Sequence, residues 1–187
     1  PGAMTVSLDI DDIPFEWVRS ELRFAGEVRR RDAGDAVKRV QEWLTFNNVA
    51  VVVDADFGPA TEHAVSRFQV YRDLSKTGVV DETTFSALTR PLLRALEPPD
   101  VTPSSTPAAV VSAARSHRNQ HPREIGGANL GPWVRVYMQG ADGADRPWCA
   151  GFVSFLVRQA AWHLDIPTPI EGSPACDHLP LVQRHRL

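Results

Sequence analysis

The sequence predicts a two-unit chain whose first unit is an all-α three-helix domain over residues 34–92, and three observations carry that expectation. Apolar residues recur at helical spacing from Val37 onward. Clusters of turn-forming residues interrupt the pattern at two points. A proline-rich run then separates residues 108–187 from everything before them. Residues 1–33 read as a lead-in that packs on the first unit, with Pro1-Gly2-Ala3 ahead of Met4 taken as an expression scar.

Each element has a local cause. Val37, Val40, Gln41 and Leu44 stand at the i, i+3, i+4, i+7 positions of one face, which predicts a helix over 35–46. A β-leaning run over 49–53 ends in the turn-rich Asp54-Ala55-Asp56-Phe57-Gly58-Pro59. Pro59 suits the first position of a second helix, where its missing N–H costs nothing, and Ala64, Val65 and Phe68 supply that helix's stripe to about Arg72. After a turn at 75–78, Asp81 can cap a third short helix, with Val80 and Phe85 placed as a hydrophobic staple. That helix is expected to end near Leu88, and Pro98, Pro99, Pro103 and Pro107 make 93–107 a linker. Beyond it, 108–120 reads as a helix and 125–129 as a glycine-containing loop. A turn-rich stretch over 140–147 then precedes a strongly apolar helix from Trp148.

Composition narrows the function classes. The 187 residues are 43% hydrophobic and 23% charged with a formal net charge of -3, an ordinary globular balance without the basic excess that phosphate contacts demand, so nucleic acid is not an expected partner. No apolar run approaches the length of a membrane span. Cys149 and Cys176 lack the close spacing of zinc or redox motifs, although a disulfide between them is allowed. His117 and His121, four apart on a predicted helix, could hold a metal. The Glu of a zinc-protease helix is missing, so a solvated face is the expectation. No cofactor and no metal are expected, and the chain reads as a monomer.

The ordered set Gly34, Val37, Gln41, Leu44, Asp54, Phe57-Gly58, Thr61, Ala64-Val65, Phe68-Gln69, Gly78, Thr84 and Ala87-Leu88 resembles the peptidoglycan-binding domain found on many wall hydrolases. Val40 departs from that pattern, where the family usually has Leu. Most of these positions read as core or turn, and Gln41 and Gln69 as internal hydrogen-bond partners that fix loops. The resemblance implies peptidoglycan as partner, with ligand contacts from the groove between the helices and the loop after Asp54. Asp54, Asp56, Thr61 and Arg72 are the candidate binding residues.

The segment Asp145-Arg146-Pro147-Trp148-Cys149-Ala150-Gly151-Phe152-Val153 places a thiol just inside a helix, where the partial positive charge of the terminus favours the nucleophilic thiolate. It is similar to the cysteine amidohydrolase and peptidase group that includes the CHAP and NlpC/P60 families. That resemblance implies a papain-like α+β domain over 108–187, present in its N-terminal part, with Cys149 as catalytic nucleophile. Those families place a histidine on a later strand. His178 and His185 follow Cys149 but sit in no strand-like run. Two functions are therefore expected from different classes: a cell-wall hydrolase that cuts a stem-peptide or amidase-type amide, or a non-catalytic peptidoglycan-binding protein. Both place the chain at the cell wall or outside the cell.

Overall fold

The computed structural model describes residues 8–169, which form a 3-10 turn at Ile10–Asp12 and a series of α-helices. The lead-in contributes α1 (Glu16–Leu22). The first unit is α2 (Asp35–Phe46), α3 (Pro59–Tyr71) and α4 (Glu82–Leu96). The second is α5 (Thr106–Asn119), α6 (Pro132–Tyr137) and α7 (Cys149–His163). No strand occurs among the described residues; two isolated antiparallel bridges, Val28 to Val80 and Ala33 to Asp56, tie the lead-in to the loops of the first unit.

The first unit forms for the reasons its sequence states. Val37, Val40 and Leu44 line one face of α2 and are fully buried, and at about 1.5–3 kcal/mol per large apolar side chain their burial holds the helix in place. Pro59 opens α3. The Asp81 carboxylate caps α4 by accepting from the Thr84 N–H at 2.8 Å, and Val80 and Phe85 are both buried on either side of the cap.

α4 does not stop near Leu88. Pro91 lies inside it and removes a backbone donor, a break worth about 3 kcal/mol in a helix interior. Tertiary packing overrides the break, because Leu92, Ala95 and Leu96 are fully buried. The second unit also takes up the carbonyls of the last turn: Gln159 Nε2 donates to Ala95 O at 2.8 Å and His163 Nε2 to Leu96 O at 3.0 Å. The linker expected over 93–107 thus shrinks to the segment between α4 and α5. Those two helices pack against each other, so the segment does not act as a spacer.

One hydrophobic core runs from Ile13 in the lead-in to Phe155 in α7. Trp133 of α6 meets Trp43 and Phe46 of α2, with ring centroids 6.3 and 5.6 Å apart. Phe15 packs on Phe155 at 5.4 Å, and Trp17 Nε1 donates to Val136 O at 2.9 Å, so the lead-in is wedged between the units. The indole N–H groups of Trp43 and Trp133 are buried with no hydrogen-bond partner among the described residues. Each costs about 1–3 kcal/mol. Burying a tryptophan returns about 5 kcal/mol, so the junction remains favourable.

The polar half of this junction centres on Arg135. Its Nε donates to Glu21 Oε1 at 2.5 Å, its Nη2 to Glu42 Oε2 at 2.6 Å and its Nη1 to Asp142 Oδ2 at 3.0 Å, which joins α1, α2 and the loop after α6. Burial pushes the Glu42 carboxyl up, and the hydrogen bond and charge of Arg135 offset only part of that. Burial would by itself lower Arg135, but the hydrogen bonds to Glu42 and Glu21 carry it above its ordinary value and keep the guanidinium charged.

The α+β papain-like unit expected over 108–187 is not what the described part of that segment forms. From Thr106 the segment is helices and turns, because Gly131 caps and Pro132 opens α6, and α7 supplies a long apolar helix against α5. Cys176, His178 and His185 lie outside the described residues.

Candidate functional site

Two loops of the first unit are built alike. Gln41, buried in α2, uses both ends of its amide on the next loop in the chain: Oε1 accepts from the N–H groups of Asp54 and Ala55 at 3.1 and 2.9 Å. Its Nε2 faces Asp54 Oδ1 at 2.7 Å, Asp56 O at 3.0 Å and Thr61 Oγ1 at 3.1 Å. Gln69 in α3 repeats the device on the loop before α4. Its Oε1 accepts from Thr77 and Gly78 N–H at 2.9 Å each, and its Nε2 faces Thr77 Oγ1, Val79 O and Thr84 Oγ1 at 3.0, 2.9 and 3.1 Å. Both glutamines therefore fix loops, as expected. Gly78 is required where it stands, because its φ of +72° is left-handed and a Cβ there would meet Glu62 Cγ at 3.0 Å.

The candidate binding residues take different places in this frame. Thr61 is buried, and its hydroxyl is occupied by Gln41 and Asp56 O. Asp54 is exposed; its Oδ1 accepts from Asp56 N and Gln41, and those bonds hold its carboxyl below the usual range. Asp56 is exposed on the same loop. Arg72 lies at the far end of α3, about 16 Å along the helix axis from Thr61. There it donates to Asn47 Oδ1 at 2.8 Å and lies over the rings of Phe68 and Tyr71. The loop brings Asp54, Asp56 and Thr61 together and leaves Arg72 apart.

In the second unit Cys149 is the first residue of α7 and is exposed. It lines a groove of about 1020 Å³ together with Trp148, Phe152 and Val153 from its own region and Arg118 and His121 from the end of α5. Arg118 and His121 carry no motif that could assign them to this groove; only the packing of α5 on α7 does so. Val153 is 50% exposed, an apolar side chain left on the groove wall. Behind the wall, Trp148 Nε1 donates to Glu124 Oε1 at 2.9 Å and its ring stacks on Tyr137 at 5.4 Å, so the indole is fixed in position.

His117 is not on a solvated face. It is fully buried among Trp133, Tyr137, Phe152 and Phe155, with Nδ1 3.0 Å from Tyr137 Oη and Nε2 2.8 Å from Gln159 Oε1. Since a carbonyl oxygen only accepts, Nε2 carries the proton and Nδ1 takes the tyrosine hydroxyl. Burial pulls its pKa down to about 4, so it is neutral at ordinary pH, and with both nitrogens bonded it cannot join His121 on a metal. The signal in the sequence is a face: Ala109, Ala113 and His117 recur every fourth residue on α5, and all three are buried.

Residues 33–88 match the family model described as "Putative peptidoglycan binding domain". The match covers α2, α3 and the start of α4 with both glutamine-held loops. It supports peptidoglycan as the partner of this domain, and nothing comparable supports a CHAP or NlpC/P60 domain in the remainder. No curated protein matches the chain. Among the described residues no helix is long and apolar enough to cross a membrane.

Proposed function

We propose that the chain is a peptidoglycan-binding protein of the cell wall, in which the loop after α2 presents Asp54 and Asp56 to the polymer. The observation that carries this reading is the family match over 33–88, which coincides with loops held rigid by Gln41 and Gln69. A loop ordered before the ligand arrives loses little entropy on binding. Thr61 supports the loop from inside, and Arg72 belongs to a separate patch at the other end of α3. The test is co-sedimentation of the chain with purified sacculi. Retention in the pellet that weakens in the Asp54→Asn, Asp56→Asn double variant is the expected result. Equal recovery in the supernatant with and without sacculi would overturn the reading.

A second reading adds chemistry: Cys149 attacks a stem-peptide or amidase-type amide of the bound wall. Its support is the exposed position of Cys149 at the head of α7, on a groove that His121 also lines. The thiol would supply the nucleophile and an imidazole would protonate the leaving amine. Release of new amino groups from sacculi by the chain, lost in Cys149→Ala, is the measurement. Release that survives that change removes Cys149 from any role.

A further inference from the structure

We propose that the groove beside α7 is a second ligand site, distinct from the loops of the first unit, and that it takes a carboxylate-bearing stem peptide with Arg118 as the residue that pairs the carboxylate. This rests on the wall-binding reading for the class of ligand. The groove itself is an observation of the fold. It is large enough, at about 1020 Å³, for a short peptide, since ligand sites of this kind run from about 300 to 1,000 Å³.

The charge pattern selects the occupant. Arg118, His121 and Arg123 line the groove and no Asp or Glu does among the described residues, so the charge these residues set favours an anion. Arg123 is already committed: its Nη2 donates to Thr45 O at 3.1 Å, Phe46 O at 2.8 Å and Asn48 Oδ1 at 3.0 Å, and its guanidinium lies 5.2 Å from the Phe46 ring centroid. It anchors the second unit to the end of α2. Arg118 is exposed and pairs with no carboxylate among the described residues, which leaves its planar fork for a ligand carboxylate in two-point contact.

The rest of the groove suits the apolar portion of the same ligand. Trp148, Phe152 and Val153 offer carbon surface, and Trp148 is held from behind by Glu124 and Tyr137, so the wall needs no rearrangement to receive a peptide. A stem peptide combines small apolar side chains with carboxylates. A nucleic acid would want more cations, and a purely apolar ligand would leave Arg118 unused. Cys149 lies within the groove and reports on its occupancy.

The experiment uses the whole chain and a soluble disaccharide-tetrapeptide released from sacculi by a muramidase, beside the same muropeptide with its carboxylates amidated. Alkylation of Cys149 by iodoacetamide, followed by peptide mass analysis, should slow as the acidic muropeptide is added and should not respond to the amidated one. Calorimetric titration should give a dissociation constant raised about tenfold in Arg118→Gln, the loss of one charge-assisted contact. Arg118 is exposed, so the variant folds. Alkylation rates that ignore the muropeptide, or equal affinity in Arg118→Gln, overturn the proposal. A chain that pellets with sacculi without protection of Cys149 refutes the groove alone. Protection without pelleting refutes the first-unit reading and leaves the groove.

Discussion

Around Gln69, one amide accepts from two backbone N–H groups and sets its NH2 against three oxygens, and so holds a loop. Around His117, four aromatic rings hold a helix junction. Residues 33–88 and 106–163 are both helical and share one core, yet the loops of the first are fixed by amide hydrogen bonds, while packed rings surround the buried histidine of the second. Directional bonds specify a residue type and a spacing, so they leave a motif. Ring packing accepts many combinations of similar volume, so it leaves composition and little order. A family match that begins and ends within the first region agrees with this division.

Removing what joins the regions should have the largest effect. Arg135→Met leaves Glu21 and Glu42 buried without their cation, and urea melts at pH 7 should lose about 3–5 kcal/mol. The wild type should melt in one transition because the core is continuous. A loss below about 1 kcal/mol would mean that Lys38 and Arg39, 3.9 Å from Glu42 and 3.6 Å from Glu21, suffice.

Acid tests the aromatic side next. Above pH 6.5 His117 is neutral in the folded and unfolded chain alike; below it the unfolded chain takes up a proton that the folded site refuses until about pH 4. Stability should therefore fall with pH across that window by about 1.4 kcal/mol per unit, roughly 3 kcal/mol in all. The raised carboxyl of Glu42 works in the opposite direction, so the readout is the slope of wild type minus that of His117→Gln. Identical slopes would remove His117 from the acid response.

On the polar side, Gln69→Leu strands the N–H of buried Gly78, at an expected cost of about 1–3 kcal/mol by chemical denaturation. Gln41→Leu should cost less, because the loop at Asp54 to Asp56 is more open to water. The reverse order would show that solvent does not rescue that loop. The smallest expected effect is at the cap: Asp81→Ala should cost about 1 kcal/mol, read from the same melts.

Legibility in the sequence divides along the same line. The bounds of α2 and α3, the Asp81 cap and the roles of Gln41 and Gln69 are visible there because each rests on a local period or a bonding capacity. The length of α4 is not. Leu88, Leu92, Ala95 and Leu96 repeat at helical spacing, but Pro91 argues locally for a stop, and only packing against α5 and α7 outweighs it. The lead-in's burial can be foreseen in outline, yet nothing near Glu21 marks it as a partner of Arg135 more than a hundred residues away. The helix start at Cys149 is legible from the turn before it. Its neighbours Arg118 and His121 come from the last turn of α5 and the residues just after it, and no spacing rule connects them to Cys149.

The two glutamines also bear on what kinds of change this domain can absorb. An amide on a two-methylene arm presents two donors and an acceptor; glutamate keeps the reach and loses the donors, asparagine keeps the amide and falls one methylene short, and leucine has neither. Position 41 and position 69 thus have no synonym among the twenty side chains, whereas a core valine such as Val40 can trade with its aliphatic neighbours. Drift among homologues of such a domain would therefore erase its hydrophobic letters first and keep its two glutamines legible longest.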